Sequence, residues 1–499
     1  MEPVLSAAQP STTPGVKPAF PTDGRFGDFD FIVVSNRLAV DRVVDEHGES
    51  SWRRSPGGLV TALAPVMAKA DGAWVGWHGA SDETLEPFDE ANMRLVPVPL
   101  SAEEVELYYE GFSNATLWPL YHDVIASPEF HRTWWDSYRK VNERFAAATA
   151  SVAAEGATVW VQDYQLQLVP KMLRQARPDL KIGFFNHIPF PPLEIYAQLP
   201  WRRQVIEGLL GADLIGFQRP SDASNFLRCV RRFKGHTIKA QQVQVPEGDD
   251  GTPAYVSRAE AFPISIDTAS ITELAQRPDV IERSREIRRE LGDPQHILLG
   301  VDRLDYTKGI GHRLKAYGEL LEDGAITVED AALIQVASPS RERVEQYRLL
   351  REDIEGAVGR INGTHDTMKN TAIRYLHHSY PVEEMMALYL AADVMLVTAL
   401  RDGMNLVAKE YVAARTNNTG MLVLSEFAGA ADTLRQAILV NPHDIDGLKS
   451  AIVTAISMPK TEAMRRMRLM RRQVVHNDVE RWSQAFLNAL HTGSAGHGA

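Results

Sequence analysis

Residues 401–411 read RDGMNLVAKEY, and the run ADVMLVT (392–398) just before them is apolar and of strand length. Leu406, Val407 and Ala408 open a helical pattern, so Asp402 and Gly403 fall where a strand hands over to a helix. In open α/β sheets that is where ligands bind, because helix N-termini aim free N–H groups and partial positive charge at an anion. Met404, Asn405 and Leu406 belong to the same turn. Glu410 lies roughly 7 Å further along the helix than Asn405, at ~1.5 Å per residue, within reach of a sugar or ribose hydroxyl. A solvated helix start with a capping acid fits the same residues, so the rest of the chain decides between the two.

Around this turn the pattern repeats. Strands at 296–301, 333–337, 373–376, 394–397 and 421–424 alternate with helices at 310–322, 343–361, 382–391 and 405–415, as in a doubly wound parallel sheet. DRLDYTKG (302–309) follows the first of these strands. Arg303 offers a planar fork for phosphate, Lys308 a point charge, and Gly309 an open helix N-terminus. They make a diphosphate site without the spacing of a P-loop. Arg341, in SPSR (338–341), ends the next strand on the same rim.

The N-terminal half carries a second alternation. Strands are expected at 29–35, 73–77, 93–98, 158–162, 181–185 and 213–217, with helices at 59–70, 166–176, 201–210 and 220–233. Two of its strand ends carry polar residues, QDY (162–164) and NHIPFPP (186–192). Asp163 and His187 there read either as caps and satisfied core groups or as site residues, and their position favours the site. Gly57-Gly58 fits a phosphate approach or a plain turn. The aromatic stretch LYYEGFSNATLWPLYH (107–122) reads as core, with Tyr109 and Trp118 also able to donate to a sugar phosphate.

At 499 residues the chain exceeds one core, and 44% apolar residues supply two. A net charge of −12 argues against nucleic-acid or anionic-membrane binding, so polyanionic ligands must meet local basic clusters. Cys229 is the only cysteine, which excludes an intrachain disulfide. Residues 1–27, rich in Pro, Ser, Thr and Gly, read as a disordered extension; no apolar run of signal or membrane-span length occurs, and a cytoplasmic protein is expected. The expected domains are 28–264 and 265–460, then a helical segment 461–490 packing back on the first domain and a flexible tail 491–499.

NRL (36–38), GGL (57–59), FSNATLWPLYH (112–122), QDYQL (162–166), NHIPFPP, DRLDYTKG and RDGMNLVAKEY, in this order, resemble the trehalose-6-phosphate synthases. The resemblance implies a GT-B fold, α/β, with two doubly wound Rossmann-like domains facing a central cleft. It implies retaining transfer of glucose from UDP-glucose to glucose 6-phosphate, with no metal or other cofactor. By motif, Gly58, His187, Arg303, Lys308, Asp402, Gly403, Met404, Asn405, Leu406 and Glu410 would bind the donor. Arg37, Tyr109, Trp118, Asp163 and Arg341 would hold the acceptor. Asp163, His187, Arg303, Lys308 and Asp402 would act in catalysis. The expected partners are these two small molecules and, in a homo-oligomer, further copies of the chain. A same-fold enzyme using ADP- or GDP-glucose, or joining cyclitols, is the nearest rival. A silent sugar-phosphate sensor would have lost the charged residues that stand here.

Overall fold

The computed structural model describes residues 27–44, 50–55, 60, 63, 66–67, 72–90, 93–248, 251–341 and 344–492. The extension over 1–26, Gly58 and most of the helix expected at 59–70 lie outside them; Val60, Leu63, Val66 and Met67 are helical.

The first twelve strands are β1 (Phe29–Arg37), β2 (Val40–Val44), β3 (Ser50–Arg54), β4 (Ala73–Trp77), β5 (Phe88–Glu90), β6 (Met93–Pro97), β7 (Ala153–Gln162), β8 (Lys181–Phe185), β9 (Leu214–Phe217), β10 (Ile238–Lys239), β11 (Gln242–Val245) and β12 (Tyr255–Ala261). All but the hairpin β2–β3 form one sheet, ordered β10-β11-β12-β9-β8-β7-β1-β4-β6-β5. It is parallel from β12 through β6, with β1 set between β7 (Ile32 opposite Val159) and β4 (Ile32 opposite Ala73). Strand order reverses at β1, and the carboxyl ends of β1 and β7 flank the crevice this opens.

The second sheet holds β13 (His296–Arg303), β14 (Ala331–Ser338), β15 (Ile373–Leu376), β16 (Val394–Val397), β17 (Met421–Ser425) and β18 (Ile438–Val440). Its order, β15-β14-β13-β16-β17-β18, is parallel throughout and reverses between β13 and β16. Each sheet therefore has its own switch point, the place where α/β sheets take ligands. Buried continuous apolar runs such as LIGF and VMLV make these strands, because both faces are covered by helices.

We propose that two domains divide near residue 265. The chain leaves β12 through Phe262–Ile266 into the second unit, and it returns at Asn477–Asp478, where the helical segment expected as one piece breaks into Lys460–His476 and Val479–Thr492. The last helix lies on the first sheet, with Phe486 stacked on Trp160 at 4.6 Å and Trp482 at 5.2 Å from the same ring. Its helical winding runs through His491 and Thr492, which were expected in the tail. The periodicity reading also omits the helix Arg132–Val152, the hairpin β2–β3 and strand β12.

Candidate active site

The cleft lies between the carboxyl ends of the two sheets. On the second sheet, Lys308 follows β13 and Asp402 follows β16, so the switch point brings them together across 94 residues of chain, with Lys308 Nζ 2.6 Å from Asp402 Oδ2. Both side chains are largely buried. Burial alone would raise the Asp402 pKa, but the Lys308 charge and hydrogen bond outweigh it and hold the group below its usual value. Asn405 Nδ2 donates to the same carboxylate at 3.2 Å, while Asn405 Oδ1 caps the helix Leu406–Ala414 by accepting from the Ala408 N–H at 3.0 Å. Gly309 takes φ +64°, a left-handed value that suits glycine, and opens the helix Ile310–Glu322 beside Lys308.

Trp118 marks the middle of the cleft. It belongs to a helical stretch, Ala102–Tyr121, wound from Val105 to Leu117 in wide turns; the Trp118 N–H closes on the Ser113 carbonyl five residues back. The Arg341 guanidinium lies 3.9 Å from the indole centroid and that of Arg303 5.4 Å, so two cations of the second unit rest on an aromatic face of the first. Arg341 Nη2 donates to Tyr164 Oη at 3.1 Å, and the Tyr164 hydroxyl donates to Asn114 Oδ1 at 2.8 Å. Trp118 Nε1, Asn114 Nδ2 and Arg341 Nε are buried donors without a partner among the described residues. Unsatisfied buried donors are costly, and three around one cation suit an anionic, oxygen-rich ligand.

Asp305 organises this corner, although its place inside DRLDYTKG assigns it no role. It is buried, accepts from Arg341 Nη1 at 3.2 Å and from the Tyr347 hydroxyl at 3.0 Å, and caps Thr307. Burial pushes its pKa up, and Arg341, Arg303 and Lys308 overcome this and bring it down to about 2. Its signal was an acid inside a run of cations. His122, in the aromatic motif, was also missed; it is buried, bonded through Nδ1 to the Trp118 carbonyl at 2.7 Å and lowered to about 4 by burial.

Asp163 sits past the end of β7 with φ +72° and ψ 171°, a backbone region that strains any residue but glycine by about 1–3 kcal/mol. Such strain clusters at functional sites. Its Oδ1 accepts the His187 N–H at 3.0 Å, and burial raises its pKa to about 6 against the pull of that bond and of Arg303 and Arg341. His187 Nε2 is 2.9 Å from Gln162 Oε1, and burial lowers this imidazole to about 3. Gly403 comes so close to the His187 carbonyl that a Cβ there would lie 2.3 Å from it. The Asp402–Gly403 turn thus meets the His187 loop backbone to backbone, with Met404 buried behind it.

Other expected residues lie further out. Arg37 pairs with Asp41 at 3.0 Å and stacks over Trp77 at 5.2 Å; Tyr109 touches the same indole at 6.3 Å. Tyr109 is near enough to Arg341 to act on its charge, which ties this edge of the cleft to the Trp118 corner. Glu410 accepts from the Tyr389 hydroxyl at 2.8 Å, and burial raises its pKa. With Leu406, Tyr389 and Tyr380 it lines a cavity of about 360 Å³ on the second unit. Across the cleft, Arg219 clasps Asp432 through two bonds of 2.8 Å, and Arg401 faces Asp123 at 3.2 Å.

Known proteins resemble this chain over nearly its whole length. It is 58% identical to the trehalose-6-phosphate synthase of Mycobacterium sp. (strain JLS) over 466 residues, covering 93% of this chain and 96% of that one. A solved trehalose-6-phosphate synthase from E. coli bound with UDP-2-fluoro glucose superposes with a TM-score of 0.82 at 34% identity, covering 92% and 98%. One from Burkholderia xenovorans in complex with glucose-6-phosphate gives 0.83 at 34%, covering 92% and 99%. The fold is that of these GT-B enzymes. The profile of glycosyltransferase family 20 matches residues 29–492, and the chain belongs to that family.

Proposed function

We propose that the chain is a retaining hexosyltransferase that moves glucose from UDP-glucose to glucose 6-phosphate, releasing UDP and α,α-trehalose 6-phosphate. The observation that carries this reading is the meeting of Arg303 and Arg341 on Trp118 beside the Lys308–Asp402 pair. In a chain of net charge −12, this prepares places for two phosphorylated ligands in one cleft. The relatives named above act on, or were solved with, the same classes of molecule.

In this reading Lys308 and Arg303 hold the donor diphosphate and Glu410 the ribose. Gly58 would approach the diphosphate from the first unit. Arg341, Trp118, Tyr109 and Arg37 hold the acceptor phosphate. His187 is neutral at working pH. Gln162 donates its amide to the Trp160 carbonyl and so presents Oε1 to His187 Nε2–H, which leaves Nδ1 as an acceptor for a donor hydroxyl.

Asp402 is engaged by Lys308 and Asn405, and Asp163 by the His187 N–H, so both carboxylates position rather than attack. Transfer is front-face: the departing diphosphate oxygen takes the proton of the incoming hydroxyl while the sugar passes through an oxocarbenium-like state. Charge grows on the diphosphate, where Arg303 and Lys308 bind it more tightly than in the ground state. These cations do the work a divalent ion would do elsewhere, and no metal is needed.

The test is product analysis. Incubation of the full chain with UDP-glucose and glucose 6-phosphate yields UDP and a disaccharide phosphate whose two anomeric protons are both α by NMR. A β linkage, or nucleotide release without disaccharide, would refute the reading. A panel of UDP-, ADP- and GDP-glucose separates the base preferences.

A further inference from the structure

Both passages of the chain between the two units line one small cavity away from the cleft. Phe262, Pro263 and Ser265 of the outgoing passage and Asn477, Arg481 and Trp482 of the return enclose about 290 Å³. Val479 N–H donates to the Ile266 carbonyl at 3.0 Å and Trp482 Nε1 to the Phe262 carbonyl at 3.1 Å, so the passages are tied to each other as well. Lys409, from the helix that also carries Glu410, closes the cavity on the side of the second unit.

Lys409 is 4% exposed, and among the described residues its ammonium makes one hydrogen bond, to the Ile264 carbonyl at 2.6 Å. An ammonium has three donors. Burial alone lowers its pKa to about 7, with no carboxylate contributing. Ser265, 1% exposed, lines both this space and the neighbouring cavity of Glu410, and its Oγ has no partner among the described residues. A buried ammonium with donors to spare and a buried hydroxyl thus border a cavity large enough for a tetrahedral oxyanion, and burying unmatched donors is costly.

The approach to the cavity is cationic. It shares Thr433 and Gln473 with a groove of about 1230 Å³ that Arg435, Arg468, Arg471 and Arg472 line. The acids nearby are engaged: Asp432 with Arg219, and Asp478 with the Arg481 N–H at 2.9 Å. A basic groove on a chain of charge −12 concentrates anions locally.

We propose that this hinge cavity is a second anion site, which takes a phosphate group against Lys409 and Ser265 and lays the rest of a multiply charged phosphorylated small molecule along the arginine groove. Its occupant bridges the outgoing passage, the return passage and the Glu410 helix, and so stiffens the hinge on which the cleft opens.

The probe is inorganic tripolyphosphate, titrated calorimetrically into the full chain. The cleft is expected to take tripolyphosphate as well, so wild type shows two binding events. Arg468 and Arg472 are exposed, and reversing both to Glu weakens one event at least tenfold and leaves the other unchanged. Ser265→Ala weakens the same event about tenfold, the worth of a hydrogen bond to a charged group. Lys409→Met abolishes it; should that variant fail to fold, the other two decide. Turnover without added anion stays at the wild-type level in the charge-reversal variant. Hydrogen exchange at 262–266 and 474–482 slows with the probe in wild type and not in that variant. Isotherms identical in wild type, the charge-reversal variant and Ser265→Ala, or slowed exchange confined to the Arg303–Lys308 cleft, would overturn the proposal.

Discussion

Lys308→Met tests the cleft electrostatics most directly, because it separates what the lysine does for the fold from what it does for the reaction. Lys308 and Asp402 expose only 11% and 14% of their side chains, so solvent screens their 2.6 Å contact weakly. Breaking a buried pair costs about 3–5 kcal/mol, chiefly because the remaining charge is left without its partner. In the wild-type protein the lowered Asp402 pKa contributes stability that is present above the unfolded carboxylate value and lost as pH falls through the folded one. Without Lys308, burial is opposed only by the weaker pull of His122 and the Asn405 bond, and the Asp402 pKa rises. The sign then reverses: the contribution is intact at low pH and lost as pH climbs through the raised value. Urea denaturation followed by tryptophan fluorescence should therefore show a larger loss at about pH 8 than at about pH 5. Adding Asp402→Asn to Lys308→Met should restore more than half of that loss. Turnover behaves differently. With a well-placed charge worth ~3–4 kcal/mol in the transition state, kcat falls on the order of 10² to 10³ in Lys308→Met and is not restored by Asp402→Asn. A pH-independent stability loss, no recovery in the double variant, or a kcat within tenfold of wild type would each refute this account.

Free glucose should react more slowly than glucose 6-phosphate by roughly 10² to 10⁴ in kcat/KM, since at least two charge-assisted bonds of ~1.5–3 kcal/mol are lost with the phosphate; comparable rates would show the Arg341 corner misassigned. Asp163, raised by burial to about 6, must be ionised to accept from the acceptor hydroxyls, so kcat/KM for glucose 6-phosphate should fall below about pH 6. Its raised pKa also means that its contribution to stability, complete below the unfolded carboxylate value, is lost as pH rises through about 6; an acid limb that survives Asp163→Asn unchanged would assign it elsewhere. Intact-mass spectra of wild type, Asp163→Ala and Asp402→Ala with a fluorinated donor should show no hexose adduct, and a stable adduct on either carboxylate would exclude front-face transfer. Turnover should persist in EDTA, and its complete loss with recovery on adding a divalent metal would overturn the role given to Arg303 and Lys308.

Local pattern carried much of the architecture. Strands Ala73–Trp77, Lys181–Phe185, Ile373–Leu376 and Val394–Val397, and helices Ile310–Glu322 and Val382–Ala391, lie where periodicity places them, because a buried apolar run or an amphipathic turn is a property of a few neighbouring residues. The exceptions are elements whose reason is distant. Strand β12, YVSRAEA, breaks its apolar residues with Ser, Arg and Glu, yet it pairs in parallel with β9, and the helix Arg132–Val152 hides its apolar stripe among charged residues.

The same limit governs the site. Sequence alone determined that cations and polar groups gather at strand ends, since DRLDYTKG, SPSR, QDYQL and RDGMNLVAKEY each follow an apolar run. Which of them meet was decided by strand order, and strand order is a long-range property. The reversal between β13 and β16 seats Lys308 on Asp402, and closure of the two sheets lays Arg341 over Trp118, 223 positions earlier in the chain. Asp305, holding Arg341 and Tyr347 from beneath, and Lys409, turned from its helix to the Ile264 carbonyl, make contacts legible only in three dimensions. The physical reason is that a charge acts over a few ångströms of space, and the distance along the chain to its partner does not enter.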